Sequence, residues 1–136
     1  MDLVNSFFIA AAGMRAQGER MRVVAENIAN ANSVALSADG SPYRRKTISF
    51  INQMDRKLGV ELVHVDRIGR DRSPFNLRFE PGHPSANDDG YVQYPNVNTM
   101  VEMTDMREAQ RSYQANLKVL ELTRTLAGRT LDLLRS

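Results

Sequence analysis

Apolar residues recur at helical spacing at both ends of this chain, while its middle alternates. Leu3, Phe7, Ala10, Met14, Gln17, Met21, Val24, Ile28 and Ala31 advance by alternating steps of four and three, and eight of the nine are apolar. This repeat predicts a helix of about 29 residues, about 43 Å long, with one apolar seam. A second helix of about 37 residues, about 55 Å long, is predicted within Asn96 to Ser136, a stretch without Gly or Pro before Gly128. Met103, Met106, Tyr113, Leu117, Leu120, Ala127, Leu131 and Leu134 fall on one of its faces. Ala115, Val119, Leu122, Leu126 and Leu133 form a second stripe on the far side. Between the stripes, one flank carries Arg107, Arg111, Lys118, Glu121, Arg129 and Asp132, and the other only small residues, Ala109, Ser112, Asn116, Thr123 and Thr130. Only the charged flank demands water.

The first helix should stop near Ala29 to Ser33, where Asn and Ser side chains compete for the backbone. Asp39-Gly40-Ser41-Pro42 signals a turn. Short strands are predicted over Tyr43 to Phe50, Gly59 to Ile68, Ser73 to Glu80 and Tyr91 to Tyr94. In the third, Phe75, Leu77 and Phe79 alternate with Asn76, Arg78 and Glu80. Turns follow at Pro81 to Pro84 and Asn87 to Gly90. Thr99 and Glu102 fit a capping box for the last helix, with Asn98 as the rival cap. The fold class expected is mainly α with a small β-rich insert, α+β overall, the two long helices pairing as an antiparallel coiled coil. Residues 1–32 and 96–136 would supply the helices and residues 33–95 the insert.

Composition narrows the function more than the fold. At 136 residues, 25% charged and 42% hydrophobic, the chain reads as one folded domain. A net charge of +2 argues against a polyanion partner, although Arg44 to Arg72 holds eight Lys/Arg against four Asp/Glu. Without cysteine there is no disulfide, zinc-thiolate or thiol nucleophile. Asp2 stands where a secretory signal carries a cation, and no apolar run reaches membrane-spanning length, so neither a cleaved signal nor a span is expected. His64 in a Val-rich strand and His83 in a Pro/Gly turn do not converge into a site, and Asp88-Asp89-Gly90 lacks the ligand spacing of a calcium loop. Arg44, Arg45 and Lys46 read as a solvated face of a strand. The chain is therefore expected to have no catalytic residue, cofactor, metal or nucleic-acid partner.

Two further stretches carry a family likeness. Ala25 to Ser33, with the core Asn27-Ile28-Ala29-Asn30, resembles a signature of the axial proteins of the bacterial flagellum, the rod and hook proteins. Glu102 to Asn116, above all Arg111-Ser112-Tyr113-Gln114-Ala115-Asn116, resembles the motif at their other end. Asp39 to Lys46 and Phe79 to Asn98 are similar to the proximal-rod branch of that family. Ser33 departs from it, since many relatives carry Thr there. The resemblance covers nearly the whole chain. It implies a structural subunit that passes the flagellar type III export apparatus unfolded, without signal cleavage. The subunit would join copies of itself and proximal and distal rod subunits in the periplasmic rod of the basal body, near the membrane ring, and transmit torque. A coiled-coil adaptor or regulator is the alternative, and a wall hydrolase would need two carboxylates flanking a cleft.

Four further expectations follow from the two-faced helix and, for the insert and the channel, from the resemblance. The Leu117/Leu120 face should pair with the first helix and the Val119/Leu122 face with neighbouring subunits. The charged flank should face a wet space, which by resemblance is the export channel. The insert should supply lateral contacts that set position along the rod. The isolated subunit should be weakly ordered over Leu3 to Ala31 and Met100 to Leu134, because a monomer of this size covers its apolar surface only in part.

Overall fold

The computed structural model describes residues 2–136. The order is α1 (Leu3–Ala29), β1 (Lys46–Asp55), β2 (Val60–Arg70), β3 (Asn76–Phe79), β4 (Tyr91–Tyr94) and α2 (Thr99–Arg135), with β1 pairing β2 and β3 pairing β4 in two-stranded sheets. The class is α+β. The chain divides into two compact units, one of residues 2–21, 49–67 and 107–136, the other of residues 22–48 and 68–106.

The first unit is filled with small side chains. Ala10, Ala12 and Ala16 of α1, Leu62 of β2, and Ala109 and Thr123 of α2 are its buried residues. Gly13 faces Asn116 so closely that a Cβ there would sit 2.7 Å from the amide nitrogen, and the lack of a side chain is what permits this approach. Arg20 reaches Glu108 at 3.3 Å. The Thr123 hydroxyl is satisfied within its own helix, donating to the Val119 carbonyl at 2.8 Å. In the hairpin turn, the Asp55 carboxylate accepts from the amides of Lys57 (2.9 Å) and Leu58 (3.1 Å). β1 continues to Asp55, beyond the end expected at Phe50. Residues Ser49 to Met54 are exposed, so neither face of that stretch is under pressure to alternate.

The second unit buries Val23, Val24, Val92 and Val97 together with Asn27 and Glu102. β3 and β4 run antiparallel, with Asn76 opposite Tyr94, Leu77 opposite Gln93, Arg78 opposite Val92 and Phe79 opposite Tyr91. The apolar/polar alternation of β3 is not matched by burial, since all four of its residues are exposed, with Arg78 opposite buried Val92. Asn76 donates to the Pro95 carbonyl at 3.1 Å, and the Arg78 guanidinium lies 4.0 Å from the centre of the Tyr94 ring. Leu77 and Phe79 are left 60% and 64% exposed. The turn between the strands needs Gly90, whose φ is +84° and whose Cβ position lies 2.9 Å from the Phe79 ring.

α2 starts at Thr99 rather than Asn96 and is capped by Asn98, whose carboxamide oxygen accepts from the amides of Met100 (3.1 Å) and Val101 (3.4 Å). The Thr99/Glu102 capping box does not form. Glu102 is turned inward, where a guanidinium and a carboxamide bind its carboxylate. Of these, the guanidinium makes the stronger, charge-assisted bond.

Candidate assembly surfaces and the clamp beneath them

The most buried large side chain of the second unit is a carboxylate. Glu102 has no exposed surface, and its carboxylate accepts from the Arg45 Nε and, at 3.2 Å, from the Asn27 amide. Asn27, 1% exposed, uses its whole carboxamide. Its nitrogen also donates to the Lys46 carbonyl at 2.9 Å, while its oxygen accepts from the Lys46 amide and the Tyr43 hydroxyl, both at 2.8 Å. The last turns of α1, the start of β1 and the first turn of α2 are thereby tied at one point. Asn96 extends the network by accepting from the Arg45 amide at 2.9 Å and donating to the Asp71 carbonyl at 3.1 Å. Among the described residues, no buried side-chain polar atom lacks a partner, as a buried polar network requires.

Asn30 closes α1 beside this clamp. Its amide nitrogen donates to the Glu26 carbonyl at 2.9 Å, and its oxygen accepts from the Ser33 hydroxyl at 3.0 Å. A threonine hydroxyl at position 33 would make the same bond. Glu26 also takes a 2.6 Å contact from the Lys46 ammonium, and that hydrogen bond holds its carboxyl below the ordinary 4.5. The Asp71 carboxyl is held below 3.8, first by the Ser73 amide and then by the Ser73 side chain. Burial raises the Tyr43 phenol, which keeps it a proton donor to Asn27.

The residues singled out by periodicity take several environments. On α1, Val24 is buried, Leu3, Met14, Met21 and Ile28 are half-buried, and Phe7 is exposed. On α2, Met106, Tyr113, Leu117 and Leu120 are half-buried, whereas Met103, Leu131 and Leu134 are exposed. The second stripe, Ala115, Val119, Leu122, Leu126 and Leu133, is exposed throughout, and so is the charged flank of Arg107, Arg111, Lys118, Glu121, Arg129 and Asp132. Of the motif residues, Asn27 is buried, Asn30, Tyr113 and Asn116 are half-buried, and Arg111 and Ala115 are exposed.

Periodicity missed the clamp, because Arg45 and Glu102 are polar and stand 57 positions apart. It also undervalued the small flank of α2. Ala109, at 0% exposure, and Thr123, at 7%, are buried while larger neighbours are not. A signal was present in the sequence: small residues at 109, 112, 116 and 123 of α2 and at 10, 12, 13 and 16 of α1. Among the described residues, no cluster of His, Asp and Glu is arranged to hold a metal ion, and no helix is long and apolar enough to cross a membrane.

The clamp joins the end of α1 to the start of α2, and large apolar side chains of both helices lie exposed. Residues 88–133 match the family described as flagellar basal body rod FlgEFG protein, C-terminal. The chain is 48% identical to the flagellar basal-body rod protein FlgC of Agrobacterium fabrum over 94% of this chain and 92% of that one. It is 42% identical to FlgC of Salmonella typhimurium, covering 98% of each chain, and 35% identical to FlgC of Borreliella burgdorferi, covering 99% of each. The class is that of structural rod subunits. Within it, the chain belongs to the FlgC family of flagellar basal-body rod proteins.

Arg45→Met leaves a fully buried carboxylate without its guanidinium and is expected to cost about 3–5 kcal/mol in urea unfolding; a loss under about 1 kcal/mol would mean that solvent reaches Glu102. The depressed Glu26 and Asp71 carboxyls set the acid response. Each contributes stability that is complete above its ordinary pKa and is lost as pH falls through its folded value. The unfolding midpoint should therefore drop as pH falls below about 5, and less steeply in Lys46→Met. A midpoint flat across that range would contradict the assignment.

Proposed function

We propose that this chain is a structural subunit of the proximal part of the flagellar rod. It joins copies of itself and other rod subunits, proximal and distal, through its terminal helices, in a tubular axial structure that transmits torque and encloses the export channel. The observation that carries this reading is the inversion of size in the first unit. Alanines fill its interior, while Phe7, Phe8, Ile9, Leu122, Leu126 and Leu131 remain exposed. Phe7 and Leu131 line one apolar groove with Leu3, Val4 and Ala127, and exposed apolar surface of this kind marks an interaction site. The reading assigns no catalytic step to the chain.

The terminal helices are proposed to pair as an antiparallel coiled coil. Support comes from contacts in which rising positions in α1 meet falling positions in α2. Gly13 lies against Asn116 and Arg20 against Glu108 in the first unit, and Asn27 meets Glu102 in the second. Residues 1–32 and 96–136 then form the axial part, and residues 33–95 an insert that supplies lateral contacts. The half-buried Leu117/Leu120 face belongs to the intramolecular pair, and the exposed Val119/Leu122 stripe meets neighbours. The charged flank of Arg107, Arg111, Lys118, Glu121, Arg129 and Asp132, with no apolar residue to bury, faces the channel.

Export through the type III apparatus without a cleaved signal, and placement next to the membrane ring in the periplasm, complete the proposal. Weak order at the free ends suits a chain that must cross a narrow channel unfolded and is stabilised by its neighbours on arrival. Leu120→Asp and Leu122→Asp should each abolish incorporation into the rod, the first by splitting the helix pair and the second by charging the neighbour stripe. Near-normal swimming with either would contradict the division of faces. Charged-flank side chains packed in a dry subunit interface of an assembled rod would contradict their assignment to the channel.

A further inference from the structure

Two uncovered patches on this chain have opposite charge and matching apolar character. On the β3–β4 ribbon, Leu77, Phe79 and Tyr91 share the outward face, and Asp88 and Asp89 are exposed in the turn beside them. Gly90 joins the two groups, since its backbone lies against the Phe79 ring, which in turn packs edge-on against Tyr91 at 5.3 Å. The other patch is the tip of the β1–β2 ribbon. Strand alternation puts Phe50 and Met54 on one side of β1, 37% and 54% exposed, and Arg56 and Lys57 are exposed in the turn, where the half-buried Asp55 carboxylate is engaged by the Lys57 and Leu58 amides. Among the described residues, none of these four exposed charged side chains forms an ion pair.

We propose that the β1–β2 tip of one copy docks on the β3–β4 face of a second copy. Arg56 and Lys57 meet Asp88 and Asp89, and Met54 lies against the Phe79 and Tyr91 rings, a contact that thioether sulfur favours. The donor and acceptor patches differ, so the contact is heterologous. Each copy gives its tip to one neighbour and receives the tip of another, which propagates as a ring or a helical row. Opposite charge selects this pairing over tip-to-tip or face-to-face contacts, where like charges would oppose one another. The inference deepens the reading of the chain as a rod subunit by naming the lateral contact that its insert makes.

Charge reversal in the full-length chain tests the contact. One variant carries Arg56→Glu and Lys57→Glu, and the other Asp88→Lys and Asp89→Lys. All four positions are exposed, so circular dichroism should match the native chain. Each variant alone should self-associate roughly tenfold more weakly than the native chain in sedimentation at low salt. An equal mixture should recover native association, because an acidic tip then finds a basic face and a basic tip an acidic face. A zero-length carbodiimide should link Lys57 to Asp88 or Asp89 between isotopically distinct native copies. Unchanged association in either variant, no recovery in the mixture, or links from Lys57 only to a different rod protein would overturn the proposal. Normal rod assembly by both variants would overturn it too while leaving the rod-subunit reading intact, since that reading rests on the separate behaviour of Leu120→Asp and Leu122→Asp.

Discussion

A carboxylate with no exposed surface must be given donors, and in this chain that requirement organises the second unit. Glu102 is satisfied only if α1 delivers Asn27 and the start of β1 delivers Arg45. Asn27 in turn is satisfied only if the backbone at Lys46 and the hydroxyl of Tyr43 are beside it. Three segments, the end of α1, residues 43–46 and the start of α2, must therefore arrive together. A buried pair of this kind adds little stability beyond a well-packed apolar substitute, but breaking it is costly. Its consequence is positional: the end of one long helix is fixed against the start of the other.

Packing in the first unit follows a different rule. Glycine and alanine let backbone and small side chains meet closely, so the interior is complete without the large apolar residues. Those residues point outward, where one copy has nothing to cover them. Stability left unrealised in the single chain becomes available on association, which is how assembly is coupled to ordering.

Much of the fold was legible in the sequence. Four-three spacing marks both helices, Asn30 and Ser33 mark the end of α1, and Gly90 marks the turn before β4. Other features depend on context that a local pattern does not carry. Glu102 three residues after Thr99 has the spacing of a capping box, and only the presence of Arg45 and Asn27 turns it inward. Alternation in β3 marks no buried side, because all four of its residues are exposed, and Asn76 and Arg78 instead find partners in Pro95 and Tyr94. The small flank of α2 was legible as the side that does not demand water, and the fold shows that Ala109 and Thr123 on it are buried. Asn27 and Asn30 were visible as a family signature, but their roles, a buried carboxamide with every hydrogen bond made and a helix stop, required the fold.

The central claim is that order in this chain begins at the clamp and fades toward the free ends of the helices. Amide hydrogen exchange on the purified chain at low concentration measures it directly. Protection is expected to be weak overall along Leu3 to Ala31 and Met100 to Leu134, greatest within them over Val23 to Asn27 and Glu102 to Ala109, which hold buried residues of both helices, and least over Arg124 to Arg135, where large apolar side chains lie exposed. Uniform strong protection along both helices, or protection strongest in the last turns of α2, would contradict the account.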